Sequence, residues 1–595
     1  MESELISNKN SNTLILLLHG YRGDSKRLIS LKKAIKSKWQ NAKFLSPDMP
    51  FSLWSTVNPN EIIIQLIKTL NEEIQKANKT ETPIVNIIFI GHSFGALLAR
   101  KLYVIASGET KQAPFEPAFK ELGPRTKDGL LLPQPWATNV SRLILLAGMN
   151  RGWHITHHLG ISKAALWMTG ALFSHIARLF FGQILVISTI RQGAEFITQL
   201  RIQWVRMRQK YKRNINNSQL GGAITIQLLG SIDDIVAPED NIDLVSGGDF
   251  IYLDVPYSGH TNIIDLDHPV LGIERQRIFL LALTGSIEEL EKNAIIPADE
   301  QFGAPNENIQ NMVFVIHGIR DVGYWTHKIA RQIKYGAKRT NTLNEWTTET
   351  SSYGYFPMLP FLFSWYRRRK VEWLMDQYTE ALARYPNASF SYVGHSNGTY
   401  LLAKALELYP CCTFDKVVFA GSVVRSSYDW QRFMDGKNPQ VKAVLNFVAT
   451  RDWVVAFFPK FFEFLKWQDL GSAGHDGFMI TQHTPNIYQI AYIKGGHGAA
   501  IQEPVWDTIS NFVLTGDIQP QQLEQISQRR NLLVELGGKF PPLAWIIIGG
   551  LIFYIWTRIQ LLINWIFSDS ASQQFSTGFA LSAYILILWL ILTRV

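Results

Sequence analysis

Two stretches of the chain hold a serine between glycines, Gly91-His92-Ser93-Phe94-Gly95 and Gly394-His395-Ser396-Asn397-Gly398. A serine hydroxyl is a weak nucleophile at neutral pH. It becomes a strong one when a histidine within hydrogen-bonding reach can take its proton and an acid orients that histidine. Both partners are on offer downstream of each serine. Asp233 and then His260 follow Ser93, and Asp452 and then His497 follow Ser396. The first acid has a neighbouring rival, Asp234. The frame Gly-x-x-Asp-x-[Ile/Val]-Val places the acid third after Gly230 and favours Asp233, and the parallel frame in the second half gives Asp452. His154, His157, His158 and His268 compete with His260 as the base, and His475 and His483 compete with His497. These rivals read more naturally as surface or core histidines. None of the histidines has the paired spacing of a metal site, so no metal or cofactor is expected.

Such chemistry needs elements that present the groups together. Ile84 to Ile90 is an apolar, β-branched run of the kind a buried parallel strand uses, and Ala96 to Lys101 has helical composition. Strand, tight turn and helix lift the serine clear of the sheet, and the flanking glycines are needed where side chains would meet backbone. The same order recurs across Phe390 to Leu406, 303 residues later (396 − 93). Both acids and both histidines also fall at the ends of predicted strands. An anionic intermediate on either serine would need backbone N–H donors. One donor is expected from the residue after each serine, Phe94 or Asn397. The other is expected from the loop after an early strand, at Tyr21 behind His19-Gly20 and at Ile319 behind His317-Gly318. His19 and His317 then shape loops, and His92 and His395 are structural.

Strands alternating with helices argue a parallel sheet covered on both faces, and the markers His-Gly, elbow, acid and histidine occur twice in the same order. The expected organisation is a first domain at 10–285, a linker at 286–311, a second domain at 312–515 and a helical hairpin at 543–595. The copies differ in spacing. Serine to acid is 140 residues in the first (233 − 93) and 56 in the second (452 − 396), which assigns the first a cap insertion at about 152–213. That insertion carries apolar runs and then a basic, aromatic-dotted segment with Arg201, Trp204, Arg206, Arg208, Lys210, Lys212 and Arg213. It reads either as a solvated helical excursion or as a cap that also touches a bilayer. The second copy has aromatic stretches of its own at Tyr353 to Trp373 and Phe457 to Trp467.

At 595 residues the chain exceeds what one core supports, and its 47% apolar content is high for a soluble protein. Leu543 to Phe567 and Phe575 to Thr593 are each near the ~20 residues that span hydrocarbon, although the first contains Arg558 and Asn564. Arg529, Arg530 and Lys539 precede the pair, Arg594 follows it, and the connection carries no Lys or Arg. Both ends of the hairpin are therefore expected in the cytoplasm, with the folded domains. The net charge of +9 comes without a long basic run, which favours anionic lipid over nucleic acid as a partner. Cys411 and Cys412, the only cysteines, are adjacent and imply no disulfide framework. No signal peptide is evident at the start of the sequence.

With the His-Gly loop, the Gly-His-Ser-x-Gly elbow and the late Asp and His, both halves resemble α/β-hydrolases, most closely bacterial lipase and serine-esterase-like proteins. The resemblance covers about 10–285 and 310–515 and leaves the hairpin outside. It implies a fold of two tandem α/β-hydrolase domains followed by two transmembrane helices. It further implies a serine hydrolase working through an acyl-enzyme on carboxylic esters, plausibly of lipids. An acyltransferase, a thioesterase, or a membrane scaffold with one or both domains idle are the other readings of the same pattern. Asn397 in the second elbow and Arg451 beside the second acid depart from the usual pattern.

Overall fold

The computed structural model describes residues 12–593 except 53–54, 81, 154–184, 213–219, 234–242, 244–249, 296–304, 322, 437, 467, 480–485, 519–528 and 530. The chain forms two compact units. The first takes in residues up to Asn306 together with 372–386 and 409–411, and the second takes in the rest.

The first unit is built on six strands, β1 (Thr13–Leu18), β2 (Lys43–Leu45), β3 (Asn86–His92), β4 (Val140–Leu146), β5 (Ile224–Gly230) and β6 (Phe250–Val255). They hydrogen-bond in the order β2-β1-β3-β4-β5-β6, and every pairing is parallel. Strand β1 is buried throughout because helices cover both faces of the sheet. Its side chains alternate between two cores. Leu14, Leu16 and Leu18 join one with Ile63, Leu66 and Phe89, while Ile15 and Leu17 join the other with Ile35, Ile90 and Phe279.

Among the helices that carry those cores are α1 (Ile29–Lys38), α2 (Pro59–Lys79), α3 (Phe94–Ala106) and α4 (Glu195–Lys212). The start of α2 is set by Asn58, whose side chain accepts from the Asn60 amide, and by Pro59, whose ring suits the first helical position. The helix buries Ile62, Ile63, Leu66, Ile67 and Leu70, a stripe at helical spacing. Helix α3 is buried on every side, including Arg100 and Lys101. Lys101 Nζ reaches Glu116 at 2.6 Å and Gln203 at 2.6 Å, so the buried cation is paired.

Arg201, Trp204 and Arg208 of the basic segment lie in neither expected setting, whereas Lys210 is exposed. On α4, Trp204 and Arg201 are buried, and Arg208 donates to Ala223 O at 2.8 Å and Thr225 Oγ1 at 3.0 Å. Arg100 and Arg208 stack on the Trp204 ring at 5.0 and 4.8 Å. These guanidiniums satisfy internal acceptors, so they do not form a solvated or lipid-facing side. The rest of the insertion, with His154, His157 and His158, falls outside the described residues. A further helix, α5 (Gly272–Thr284), closes the first sheet. The stretch expected to be a linker contains the helix Ile287–Asn293, started by a capping box between Ser286 and Glu289.

The second unit repeats the arrangement with β7 (Asn311–Ile316), β8 (Trp346–Glu349), β9 (Ser389–His395), β10 (Phe414–Ala420), β11 (Val441–Ala449) and β12 (Ile487–Ile493). Its order is β8-β7-β9-β10-β11-β12, again parallel throughout. One face is aliphatic, with Val313, Val315, Val393 and Leu445. The other is aromatic, with Phe314 edge-on to Phe390 at 5.6 Å and to Phe414 at 6.0 Å. The helices that matter for the site are α6 (Tyr324–Arg339), the part of α7 (Ser364–Arg384) before Glu372, α8 (Asn397–Leu408) and α9 (Trp453–Leu465). After α10 (Glu503–Thr515) and the short α11 (Leu532–Lys539) come α12 (Pro541–Ile566) and α13 (Ser570–Thr593).

Helices α12 and α13 are long and apolar enough to cross a membrane. The 26 residues of α12 extend about 39 Å at ~1.5 Å per residue, more than the ~30 Å of a hydrocarbon core. The pair is joined by Tyr584 Oη donating to Ile552 O at 2.9 Å and by Tyr584 stacking on Trp556. Cys411 and Cys412 are buried free thiols.

Candidate active sites

Ser93 sits between β3 and α3 with φ of 54°, a left-handed conformation that a non-glycine residue holds only under constraint from its surroundings. The constraints are visible. Its amide donates to Leu146 O at 2.9 Å. A Cβ on Gly91 would lie 2.4 Å from Gly95 O, and one on Gly95 would lie 2.3 Å from Leu18 O. Both glycines are therefore required by close approach of backbone.

The Ser93 hydroxyl lies 2.8 Å from His260 Nε2, and His260 Nδ1 lies 3.1 Å from Asp233 Oδ2. Three groups from the ends of three strands meet in one hydrogen-bonded series. Asp233 is brought there by Gly230, where a Cβ would stand 2.4 Å from Ser258 O and hold the acid and histidine loops apart. Its rival Asp234 lies outside the described residues. Among the other rival bases, His268 accepts the Val270 and Leu271 amides at the start of a helix and is not part of the series.

Two residues hold the histidine in place, Arg275, which sequence reasoning passed over, and His92, which it read as structural. Arg275, buried on α5, donates to Ser258 Oγ at 2.9 Å, Tyr257 O at 2.8 Å and Asp265 O at 3.2 Å. It fastens the loop on both sides of His260, and a single arginine in a helix gives no sequence signal of that. His92 Nε2 contacts His260 O at 2.8 Å. Burial, helped by nearby His260, pushes the His92 pKa down to about 3, so the ring is neutral and donates this bond from Nε2. His19 behaves as a loop former, its Nε2 accepting the Met49 amide and its Nδ1 donating to Gly20 O.

The serine opens on a cavity of about 390 Å³. Tyr21, Met149, Trp153, Ile190 and His260 line it. Trp153 and Ile190 come from the two described edges of the insertion and are tied by the Trp153 amide to Ile190 O at 2.7 Å. Phe94 begins α3, where its amide has no acceptor within the helix.

The second unit places its residues similarly but not identically. Ser396 has φ of 53°, and its amide donates to Ala420 O at 3.0 Å. His497 Nδ1 lies 3.0 Å from Asp452 Oδ2. Burial raises the Asp452 pKa, but His497 and the Val455 amide outweigh this and hold it below the ordinary carboxylate value. The difference is at the other ring nitrogen. His497 Nε2 is buried and has no hydrogen-bond partner among the described residues, so the Ser396–His497 link is open.

The loop after β7 has a clamp with no counterpart among the described residues of the first unit. Tyr353 Oη donates to Gly318 O at 2.7 Å and lies 3.0 Å from His317 O, its ring stacks on His317 at 4.3 Å, and Asn397 Nδ2 donates to Tyr353 Oη at 3.2 Å. The unusual Asn397 in the elbow thus has a partner 44 positions earlier. Ile319 is half-buried just beyond the clamp, and Arg320 takes φ of 54°, as Arg22 does at 57° beyond Tyr21. His395 repeats the role of His92, with Nε2 3.2 Å from His497 O and a pKa lowered to about 3 by burial and His497. His475 is buried beside Asp476, and His483 lies outside the described residues. Among the described residues no group of His, Cys, Asp and Glu is arranged to hold a metal ion.

A parallel sheet with a strained serine between its central strand and the next helix, and with the acid and histidine beyond later strands, defines an α/β-hydrolase fold in each unit. Neither a protein-family model nor a curated protein matches the sequence. Among solved structures, the chain is similar to phospholipase PlaB from Legionella pneumophila, at 15% identity and a TM-score of 0.29 over 48% of this chain. It spans 62% of the length of that phospholipase. It is also similar to esterase B from Lactobacillus rhamnosis (12% identity, TM-score 0.30, 48% of this chain and 77% of that one). A third is the thioesterase domain from the curacin biosynthetic pathway (12% identity, TM-score 0.25, 46% of this chain and 92% of that one).

Proposed function

We propose that the protein is a membrane-anchored serine hydrolase that cleaves carboxylic esters of lipids or other acyl compounds. The observation that carries this reading is the series Ser93 Oγ, His260 Nε2, His260 Nδ1, Asp233 Oδ2, with links of 2.8 and 3.1 Å at the mouth of a cavity. His260 takes the Ser93 proton as Oγ attacks the ester carbonyl, and Asp233 holds the ring with its other proton on Nδ1. The amides of Phe94 and Tyr21 receive the oxyanion. His260 then returns the proton to the departing alcohol. A water, deprotonated by the same ring, releases the acid and restores Ser93.

Ser396, Asp452 and His497 form the second set, with the Asn397 and Ile319 amides as oxyanion donors. Its open Ser396–His497 link favours a site less reactive at rest, since catalytic hydrogen bonds that are loose without substrate tighten on binding. The hairpin α12–α13 anchors the chain, with both ends and both hydrolase units on the cytoplasmic side by the distribution of Lys and Arg.

A fluorescent fluorophosphonate applied to the detergent-solubilised chain tests the reading. Ser93→Ala should remove the label acquired at low probe concentration, and Ser396→Ala the label acquired at higher concentration. A folded wild-type chain that takes no label at either serine overturns the hydrolase reading. Acyl transfer to an added alcohol at the expense of hydrolysis would move the activity to the acyltransferase class.

A further inference from the structure

Helix α9 is apolar on both sides, with Val455, Ala456, Pro459 and Phe462 buried against the unit. It begins at Asp452, whose side chain accepts the Val455 amide at 3.0 Å as a cap while also holding His497. Its two interior charges turn inward. Lys460 Nζ donates to Asp476 Oδ1 at 2.8 Å, and Glu463 accepts from the Ser426 amide, from Ser426 Oγ at 2.9 Å and from Ser472 Oγ at 2.6 Å. The outward side carries Trp453, Val454, Phe464 and Leu465, all exposed. A surface helix in water keeps charge outside and apolar groups inside.

This exposed apolar face is continuous with the hairpin. Trp545 of α12 packs on Phe458 at 5.0 Å and on Phe461 at 5.2 Å. Beside them, α11 buries Val534 and sets Gly537 against Phe457, while Leu532, Leu533, Leu536 and Phe540 point outward and are all more than half exposed. A patch of this kind in a stable fold needs a covering phase. The turn Met358–Phe361 packs on α13 and leads into the start of α7, where exposed Phe363 and Tyr366 stand with Trp365 stacked on Phe363, and exposed Arg369 lies over the Tyr366 ring. Aromatic rings with adjacent cations are the composition of a headgroup layer contact.

We propose that α9, α11 and the start of α7 form a collar lying in the headgroup layer of an anionic bilayer around the foot of the hairpin. The bilayer is the occupant because the apolar face runs without a break into helices that span one, and because the cations lie on the aromatic flank. The consequence concerns the second site. The carboxylate that caps α9 also holds His497, so the collar begins at the second serine's histidine. This rests on the membrane-anchored reading of the chain.

The test uses the full chain, one copy per lipid nanodisc, with nitroxide labels at Phe464→Cys, Leu533→Cys and Leu536→Cys, and at Tyr335→Cys on α6 as the reference. Cys411 and Cys412 are buried, and a chain without added cysteine controls for label on them. The collar labels should collide more with oxygen than with a water-soluble nickel chelate, with the ratio reversed at Tyr335. Collar labels that behave as Tyr335 does, or that are shielded from both agents as under a protein partner, overturn the proposal. A label at Tyr366→Cys should shift toward oxygen when neutral lipid is replaced by anionic lipid, and Arg369→Glu should abolish that shift. An unchanged ratio in the two lipids overturns the anionic assignment. These readouts do not depend on serine reactivity, so loss of the collar and loss of the hydrolase reading are separate results.

Discussion

Ser93 and Ser396 hold the same strained backbone, yet only Ser93 is hydrogen-bonded to its histidine. The carboxylate that completes the first set is Asp233, which contacts His260 directly. Asp233→Asn should therefore lower turnover at the first site by about 10⁴-fold through the wrong histidine tautomer, whereas Asp234→Asn should leave it near wild type. Steady-state hydrolysis of a soluble ester in a Ser396→Ala background separates the two, and an equal loss from both substitutions would refute the assignment. Gly95→Ala pushes a methyl into Leu18 O and should cost about 3 kcal/mol or prevent folding. The elbow histidines make a different kind of prediction. His92 and His395 are held down to about 3, so they stay neutral in the fold where the unfolded chain takes up protons. Stability should fall as pH drops below ~6.5, the unfolded value, at up to about 1.4 kcal/mol per pH unit for each ring. His92→Gln keeps a donor for His260 O and removes the titration, so its urea-unfolding profile should be flatter between pH ~6.5 and ~4 than that of wild type.

At the scale of elements, each site depends on a tether from outside its motif. Arg275 on α5 secures the His260 loop through three acceptors. Arg275→Lys, which keeps charge but loses the fork, should slow fluorophosphonate labelling of Ser93 by tenfold or more, at about 1 kcal/mol per lost bond, and leave Ser396 unchanged. Tyr353→Phe removes the hydroxyl that clamps Gly318 O and strands the Asn397 amide, so it should slow labelling of Ser396 by about five- to tenfold without touching Ser93. Labelling of both serines slowed together by either variant would mean general destabilisation rather than loss of positioning. Helix α9 joins these roles, because the cap that starts it is also the carboxylate of the second site.

For the molecule as a whole, two units of α/β-hydrolase fold and an apolar hairpin share one chain. The full chain should stay in the membrane pellet through alkaline carbonate and high salt and leave it only with detergent, since burial of two apolar spans is indifferent to ionic strength. Release by carbonate would show that the hairpin does not span. The duplication itself is plain in topology, for both sheets run in the same order with the serine after the third strand of each unit.

Much of this was legible in the residues alone. The elbows, the order of serine, acid and histidine, the strand-helix alternation and the hairpin are local patterns, in which residue type and near-neighbour spacing carry the physics. The placement of Asp233 against His260, the open link at Ser396 and the tethers through Arg275 and Tyr353 depend on groups distant in sequence, and no local pattern encodes a distance across the fold. The basic run on α4 shows the limit most clearly. Its composition matched a wet or lipid-facing side, but Arg208 and Trp204 found acceptors and rings inside the unit. Helix α9 is the opposite case, where Lys460 and Glu463 found inward partners and a second apolar side was left exposed beside the buried one. Composition set what these helices could bury, and only packing decided which face met water, because a side chain's environment is set by the elements that fold against it.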